Sequence, residues 1–333
     1  MLANRRFLFA ALLLSASWPA KTFQGPTIDT PVIEPRPQRP SGFAPGLASA
    51  PAPAADLRSE AEMVLVPTFV TKATGAPATD LAKDDFQVFE DGIEQPVTYF
   101  AKEDAPVSVG FLLDSSGSMR NKMRQALQAT LAFFRTANKA DEFFLVEFDE
   151  HVKLSVPFTS DFNQLTKRVS HVKPIGRTSL LDAVHRALVE MKRAAYTRKA
   201  IVVVSDGGDN RSRYNFNQIK NAMVESEVQL YSMGIFDPAD QRKRTPEEKN
   251  GPELLSELAA ESGGKHFDID NLDDLPMISE QIGEELRSQY LLGYTPVNPK
   301  HDGKYRRIKV SLKSPRPEAM EVRYRRGYYA PAK

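Results

Sequence analysis

The chain has 333 residues, of which 41% are hydrophobic and 26% are charged, and its formal net charge at pH 7 is +1. This length allows two domains with a sizeable core, and the near-zero charge excludes a bulk electrostatic field that would attract nucleic acid or an anionic membrane. The absence of cysteine excludes disulfides, zinc–thiolate sites, thiol catalysis and a lipoprotein anchor. We therefore expect a globular protein whose binding depends on local features and does not involve nucleic acid.

Residues 1–20 resemble a secretory signal peptide. Arg5 and Arg6 precede an apolar run over residues 7–14, and small residues follow that run. The run is too short to span a bilayer as a helix, which needs about 20 apolar residues. The sequence therefore predicts export to the periplasm, the cell surface or the medium, with no transmembrane span in the mature chain. An uncleaved amino-terminal anchor is the alternative.

A proline-rich segment follows over residues 21–59, where prolines recur among Ala, Ser and Thr. A segment of this composition buries too little apolar surface to fold, and its prolines favour extended polyproline conformations. We interpret it as a disordered linker between the export signal and the folded part of the chain.

Short strand-like runs separated by turn residues occupy residues 60–104 and residues 289–333, and neither segment has a helical pattern. The dipeptides Asp91-Gly92 and Asp302-Gly303 are typical of tight turns between strands. The first segment has too few strands to be stable alone. We predict that the two segments form the two halves of one β-sandwich, and two separate small β appendages are the alternative.

Strands and helices alternate in the segment between them, over residues 105–288. Residues 107–113, 200–205 and 228–235 are apolar runs typical of strands buried on both faces of a parallel sheet. The order of the elements predicts an α/β domain with an open, mostly parallel sheet flanked by helices and one antiparallel hairpin. Ligands of such a sheet bind beyond the carboxyl ends of its strands, where the strand order reverses.

An acid and two hydroxyl residues follow the first buried run of this segment. Asp114 ends the run, and Ser116 and Ser118 come after it at alternate positions, just before a helical pattern. The three side chains can converge in one strand-to-helix turn and present hard oxygen atoms. Helix capping explains the same pattern, because a serine hydroxyl can accept a hydrogen bond from the free backbone N–H groups of a helix start.

Two further oxygen donors occur where the same sheet would present them. Thr178 lies in the loop before a predicted helix, and Asp206 follows the apolar run of residues 200–205. If this run and the run ending at Asp114 are adjacent parallel strands, both acids share one crevice with the hydroxyls. Hard oxygen ligands with few charges suit Mg²⁺, with Mn²⁺ and Ca²⁺ as alternatives, and they leave cation charge that a partner's carboxylate can balance. Zinc is disfavoured because no histidine joins the group.

Three motifs resemble the metal-ion-dependent adhesion site of von Willebrand factor type A domains. They are Phe-Leu-Leu-Asp-Ser-Ser-Gly-Ser-Met at residues 111–119, Gly-Arg-Thr-Ser-Leu at 176–180 and Val-Val-Ser-Asp-Gly at 203–207. The resemblance covers residues 105–288 and implies a Rossmann-like von Willebrand factor A fold. It also implies that Mg²⁺ is bound by Ser116, Ser118 and Thr178 directly, and by Asp114 and Asp206 directly or through water.

One residue departs from the family pattern, and the segments that flank residues 105–288 carry further motifs. Arg177 stands where the family often has glycine before the threonine, so a cation lies beside the predicted metal and either assists capture of an acidic partner or faces solvent. The flanking motifs at residues 81–92, 289–296 and 326–331 resemble a bacterial exported subgroup related to von Willebrand factor A proteins.

The sequence favours one function and leaves a second open. We expect an exported, non-catalytic, Mg²⁺-dependent protein-binding or adhesion module that captures an acidic group of a protein partner. The alternative is a structural or assembly protein of the cell envelope whose metal site is stabilising or vestigial. An enzyme is not expected, because the sequence has no Gly-x-Ser-x-Gly pattern, no histidine in a recognisable base motif and no glycine-rich phosphate loop.

Overall fold

The computed structural model describes residues 63–102, 105–235, 246–313 and 320–332. The predicted signal peptide and the predicted proline-rich linker lie outside these residues. Among the helices that are described, none combines the length and the apolar character needed to cross a membrane. The described residues form three β-sheets with α-helices packed on one of them.

The first described segment contains a 3-10 helix (Lys83–Asp85) and four strands. The strands are β1 (Val64–Lys72), β2 (Phe86–Glu90), β3 (Ile93–Gln95) and β4 (Tyr99–Ala101). Asp91 and Gly92 connect β2 to β3, and both have positive φ angles, 48° and 86°. Positive φ at both central positions of a two-residue turn matches the twist of the paired strands, which is why Asp-Gly is a strong hairpin signal.

Strands and helices alternate in the central segment, as the sequence predicts. The strands are β5 (Val107–Asp114), β6 (Glu142–Phe148), β7 (Val152–Thr159), β8 (Arg198–Ser205), β9 (Gln229–Ile235) and β10 (Lys265–Ile269). The α-helices are α1 (Met123–Arg135), α2 (Phe162–Val169), α3 (Leu180–Met191), α4 (Phe216–Ser226), α5 (Pro246–Ser262) and α6 (Leu275–Arg287). Short 3-10 helices are formed by Gly117–Met119 and Leu272–Asp274.

The central strands form one six-stranded sheet in the order β10-β9-β8-β5-β6-β7. Neighbouring strands are parallel except for β6 and β7, which are antiparallel. The chain passes from β5 to β6 on one side and later returns to β8 on the other side, so the strand order reverses at β5. The predicted α/β fold with a mostly parallel sheet is confirmed, and the reversal places a crevice beyond the carboxyl ends of β5 and β8.

Every residue of β5 is buried, because helices cover both faces of the sheet. Phe111 and Leu113 belong to the core beneath α1, α2 and α6, whereas Leu112 belongs to the core beneath α3, α4 and α5. A strand that is buried on both faces has a continuous apolar sequence instead of an alternating one. This burial holds the last residue of β5, Asp114, at a defined point on the edge of the sheet.

Four more strands follow the central segment. They are β11 (Tyr290–Tyr294), β12 (Tyr305–Leu312), β13 (Met320–Tyr324) and β14 (Gly327–Tyr329). Together with β1 to β4 they form two antiparallel sheets, in the orders β13-β1-β11-β4 and β14-β12-β2-β3. Val66, Val88, Leu292 and Val310, from four different strands, share one core. Both flanking segments thus contribute strands to each of the two sheets, and their assembly into one β-sandwich domain with the α/β domain inserted stays a prediction.

Two helices differ from the sequence-based expectation. We did not expect α4, although its first turn carries a clear signal: Asn215 and Gln218 form a reciprocal capping box, with side-chain to backbone distances of 3.0 and 2.9 Å. The sequence also predicts a charged, solvated loop over residues 237–249 before a helix near residues 253–261. The end of this loop is wrong, because α5 begins at Pro246, and proline is favoured in the first turn of a helix.

The sequence pattern predicts one continuous strand over residues 319–328, and this prediction is also wrong. The structure divides it into β13 and β14, which belong to different sheets. Between them, the N–H of Arg326 donates to Glu261 O in α5 at 3.3 Å, and its carbonyl accepts from the N–H of Ile308 in β12 at 2.8 Å. These contacts with α5 and β12 direct the chain from one sheet to the other.

Candidate metal centre

The two candidate carboxylates lie at the carboxyl ends of adjacent parallel strands. Asp114 is the last residue of β5, and Asp206 directly follows β8. In the register of these strands, Leu113 lies opposite Val204. The predicted adjacency of the two strands is therefore confirmed, and it brings both acids to the same edge of the sheet.

Three loops meet at this edge, and backbone hydrogen bonds join them. We name them the first loop (residues 115–122), the second loop (residues 174–179) and the third loop (residues 206–215). The N–H of Gly117 donates to Gly176 O at 3.0 Å, which joins the first loop to the second. The N–H of Asn210 donates to Thr178 O at 3.1 Å, and the N–H of Thr178 donates to Asn210 Oδ1 at 3.2 Å, which joins the second loop to the third.

Asp114 is fully buried and accepts two short hydrogen bonds. The N–H of Ser116 donates to Asp114 Oδ1 at 2.8 Å, and Ser205 Oγ donates to Asp114 Oδ2 at 2.5 Å. Burial, and after it the negative charge of Asp206, raises the pKa of Asp114 to about 7, although hydrogen bonds from Ser116 and Ser205 oppose this shift. The site therefore disfavours a second negative charge unless a cation is present.

Asp206 is also buried, and its two oxygens have different surroundings. Lys122 Nζ lies 3.3 Å from Asp206 Oδ2, and the lysine side chain is itself only 4% exposed. Asp206 Oδ1 is buried and has no hydrogen-bond partner among the described residues. Buried carboxylate oxygens normally have partners, so this oxygen marks a place where a ligand or ion would be stabilised.

Lys122 and Ser205 hold the two carboxylates in place, and the sequence reasoning did not assign either of them. Ser205 Oγ donates to Asp114 and accepts from the N–H of Gly207 at 3.0 Å, so one hydroxyl links β5 to the third loop. The available signal for Ser205 was its position directly before Asp206. For Lys122, the signal was helical spacing, because it lies four residues before the buried Ala126.

The hydroxyls of Ser116 and Ser118 lie 3.0 Å apart in the first loop. Ser116 precedes the 3-10 helix of Gly117–Met119 without a side-chain capping bond, and the start of α1 at Lys122 has no side-chain cap either. The capping alternative for these serines is therefore wrong. Ser116 is buried and Ser118 is exposed, so the pair extends from the carboxylates to the surface.

Thr178 lies in the second loop and is buried. Its backbone makes both hydrogen bonds to Asn210, so its hydroxyl is not used in the contact between the loops. The structure thus brings together the end of β5 and the three loops, which carry the five candidate ligands: Asp114, Ser116, Ser118, Thr178 and Asp206.

The chemistry of this set of residues fits a hard divalent cation. It contains two buried carboxylates, one of them with a free oxygen, and a close pair of hydroxyls. Mg²⁺ prefers oxygen ligands, uses only one or two carboxylates and retains waters. No group of three or more His, Cys, Asp or Glu side chains in the described part of the chain is arranged to hold a metal. The assignment of the five residues as Mg²⁺ ligands stays a prediction.

The third loop is fixed in position by a contact between two glycines. Gly207 has a φ of +81°, and a Cβ atom on it would lie 2.7 Å from the carbonyl carbon of Gly251 in α5. A Cβ on Gly251 would lie 2.4 Å from the carbonyl carbon of Gly207. Any side chain at either position would separate the loop from the helix and displace the neighbouring Asp206.

Residues 109–208 match the family model of the von Willebrand factor type A domain. The central domain is a von Willebrand factor type A domain. The matched residues include most of β5, the first and second loops and the beginning of the third loop, and therefore all five candidate ligands. In this von Willebrand factor A domain the second loop carries Arg177, which is exposed beside the buried Thr178.

Several known proteins resemble the chain at low identity. An uncharacterized protein of Borreliella burgdorferi is 23% identical over 188 residues, which are 50% of this chain and 55% of that protein, so the match spans about half the length of this curated relative. The solved von Willebrand factor type A structure from Catenulispora acidiphila is 14% identical, with a TM-score of 0.49, over 83% of this chain and 75% of that chain. The BatB protein from Bacteroides thetaiotaomicron is 19% identical, with a TM-score of 0.44, over 55% of this chain and 100% of that chain.

Replacing Lys122 by methionine tests its role in the metal-free domain. The substitution Lys122→Met keeps most of the side-chain volume but removes the positive charge beside Asp206. Loss of one partner of a buried ion pair typically costs about 3–5 kcal/mol, so we expect the free energy of unfolding in EDTA to fall by about that amount. Urea denaturation monitored by circular dichroism measures the change.

The matched control is Lys167→Met, since Lys167 is an exposed residue of α2 and has no ion-pair partner among the described residues. We expect this variant to unfold like the wild type. Equal stability of the Lys122→Met and Lys167→Met proteins in EDTA would show that Lys122 does not compensate the buried carboxylates.

The raised pKa of Asp114 predicts how stability depends on pH when metal is absent. The folded-state pKa of about 7 lies above the value of 3.8 for an unperturbed carboxyl, so folding favours the protonated acid. This contribution to stability is complete below pH 3.8 and is lost as the pH rises through about 7.

The Asp114→Asn variant serves as the reference, because its side chain stays neutral at every pH. We therefore expect the free energy of unfolding of the wild type in EDTA to fall relative to that of Asp114→Asn as the pH rises from 5 to 8. Denaturation of both proteins across this range measures the difference. A difference that does not change with pH would contradict the assigned environment of Asp114.

Proposed function

We propose that this protein is an exported, non-catalytic binding module whose von Willebrand factor A domain uses Mg²⁺ to capture a carboxylate of a protein partner. The observation that carries the proposal is the meeting of three hydrogen-bonded loops around two buried carboxylates, one of which has a free buried oxygen. Such a site has the ligands for a cation but too little negative charge to neutralise it fully.

Each candidate ligand has a distinct part in this proposal. Ser116, Ser118 and Thr178 would bind the cation through neutral oxygens, and Asp114 and Asp206 would bind it directly or through water. When bound, Mg²⁺ would supply positive charge that attracts an additional acidic oxygen. Ser118 is exposed, so the site is open to a partner on the side of the first loop.

The surroundings of the serines support a binding role over catalysis. A serine nucleophile needs a general base within hydrogen-bond distance. Among the described residues, the Ser116 and Ser118 hydroxyls contact each other and neither contacts a histidine ring. His185 instead stacks on Tyr214 at a ring-centre distance of 3.9 Å, and His266 hydrogen-bonds Ser232 at 2.8 Å.

One observation favours the alternative of a structural or assembly protein of the cell envelope. Lys122 already places a positive charge next to Asp206 within the protein, at 3.3 Å. A domain with such an internal cation can keep its carboxylates buried without metal, as a vestigial site requires. Metal-dependent stability without metal-dependent binding would distinguish this alternative.

The first test is Mg²⁺ binding by the site. Thr178→Val removes one hydroxyl ligand at nearly constant volume, and we expect it to weaken Mg²⁺ binding about tenfold or more, because even residues behind the metal ligands typically contribute 10–100-fold. Isothermal titration calorimetry on the purified protein measures the affinity. Thr74→Val, at an exposed turn far from the three loops in sequence, is the control and should bind like the wild type.

The second test is metal-dependent capture of a partner. Immobilised wild-type protein should recover from cell-envelope extract a protein that EDTA releases, and Thr178→Val should not recover it in Mg²⁺. Recovery of the same proteins with and without EDTA, together with normal Mg²⁺ affinity, would contradict the proposed function and support the structural alternative.

A further inference from the structure

Each of the three loops at the candidate metal centre carries an exposed arginine. Arg120 follows Ser118 by two residues in the first loop, and Arg177 directly precedes Thr178 in the second. Arg211 and Arg213 lie in the third loop after Asp206. Because the loops are hydrogen-bonded to one another, all four arginines belong to the same edge of the sheet as the candidate ligands. We call these four residues the arginine rim.

The guanidinium groups of the arginine rim have no ion-pair partner among the described residues. Exposure alone does not explain this: the Arg193 side chain is 75% exposed and still pairs with Glu190, at 3.4 Å. Arg168 of the same domain pairs with Glu147. A free guanidinium offers a planar pair of N–H donors that matches a carboxylate and is easily desolvated.

In the described part of the chain, the carboxylates near the arginine rim are not paired with its guanidinium groups. Asp182 lies in the first turn of α3 and Asp209 lies within the third loop. Both carboxylates accept hydrogen bonds from backbone N–H groups of this loop and not from the rim guanidinium groups: Asp182 from Arg213 at 2.8 Å, and Asp209 from Ser212 at 3.1 Å. On the other side, Glu150 lies in the turn between β6 and β7 and is exposed next to the second loop. The guanidinium groups of Arg211 and Arg213 therefore keep their N–H donors free for carboxylates of a ligand, whereas Glu150 repels an acidic ligand beside the second loop.

Apolar side chains are also exposed on these loops. Ile175 in the second loop is 65% exposed, and Tyr214 in the third loop is 37% exposed with one ring face stacked on His185. Large apolar side chains exposed beside unpaired arginines are typical of protein-binding surfaces, in which aromatic residues and arginine are enriched. A protein segment can satisfy both features, whereas a uniformly anionic polymer has no apolar side chain for Ile175.

We infer that this edge of the domain recognises an acidic protein segment with several carboxylates and at least one apolar residue. One carboxylate of the segment occupies the candidate metal centre, further carboxylates pair with Arg211 and Arg213, and an apolar side chain packs on Ile175. This inference rests on the proposed function and adds the class of partner to it: the arginine rim distinguishes a cluster of acids from a single acid.

Two synthetic peptides provide the test. The first is a fluorescein-labelled dodecapeptide with three Asp residues and one Leu, and the second has the same sequence with two of the Asp residues replaced by Asn. Fluorescence anisotropy with the full-length protein measures both affinities in Mg²⁺ and in EDTA. We expect Mg²⁺-dependent binding of both peptides, with the three-acid peptide binding about tenfold more tightly, because each of two exposed ion pairs adds a modest favourable contribution.

Variants separate the rim from the metal site. Arg211→Gln with Arg213→Gln should abolish the preference for the three-acid peptide and leave Mg²⁺ affinity and single-acid binding unchanged. The control is Arg135→Gln, an exposed arginine at the end of α1 without an ion-pair partner among the described residues, which should keep the preference. Ile175→Ser should weaken both peptides equally.

Each other outcome overturns a defined part of the account. Mg²⁺-dependent binding with equal affinity for the two peptides, or an unchanged preference in the double variant, overturns the inference and leaves the proposed function intact. Absence of Mg²⁺-dependent binding by either peptide contradicts the proposed function itself. Tighter, EDTA-insensitive binding of heparin that depends on Arg211 and Arg213 but not on Ile175 would assign the rim to an anionic polysaccharide instead.

Discussion

The structure of the site depends on the burial of two like charges at the ends of neighbouring strands. The register of β5 and β8 places Asp114 and Asp206 together, and helices cover both faces of the sheet beneath them. Two carboxylates in such a place repel each other, because desolvation weakens the screening that water would provide. The Lys122 ammonium offsets part of this repulsion, and the free oxygen of Asp206 leaves a position for further positive charge.

The candidate hydroxyl ligands lie on loops that are joined by hydrogen bonds. These bonds connect Gly117 to Gly176, and Thr178 to Asn210. The close contact of Gly207 with Gly251 adds a support from α5. Loops joined in this way would lose less conformational entropy on binding the proposed cation, which would compensate for ligands that are mostly neutral.

The sequence predicts the central features of this site because they depend on local patterns. Continuous apolar runs identify β5 and β8, and each run is followed or ended by an acid. The topology of a parallel sheet then brings the two acids to the same edge. Lys122 and Ser205 were not found, because their roles depend on contacts between segments distant in the chain. The division between β13 and β14 was also missed, since it depends on the contacts of Arg326 with α5 and β12, which no local pattern encodes.

The central claim is that the three loops hold one hard divalent cation between hydroxyl and carboxylate oxygens. A crystal structure of the protein grown with Mn²⁺, which replaces Mg²⁺ and scatters anomalously, tests it directly. We expect a single anomalous peak that lies about 2.0–2.3 Å from the hydroxyl oxygens of Ser116, Ser118 and Thr178, because ions of this kind bind oxygen at such distances. An ordered site without anomalous density, with Lys122 still paired to Asp206 at saturating Mn²⁺, would contradict it.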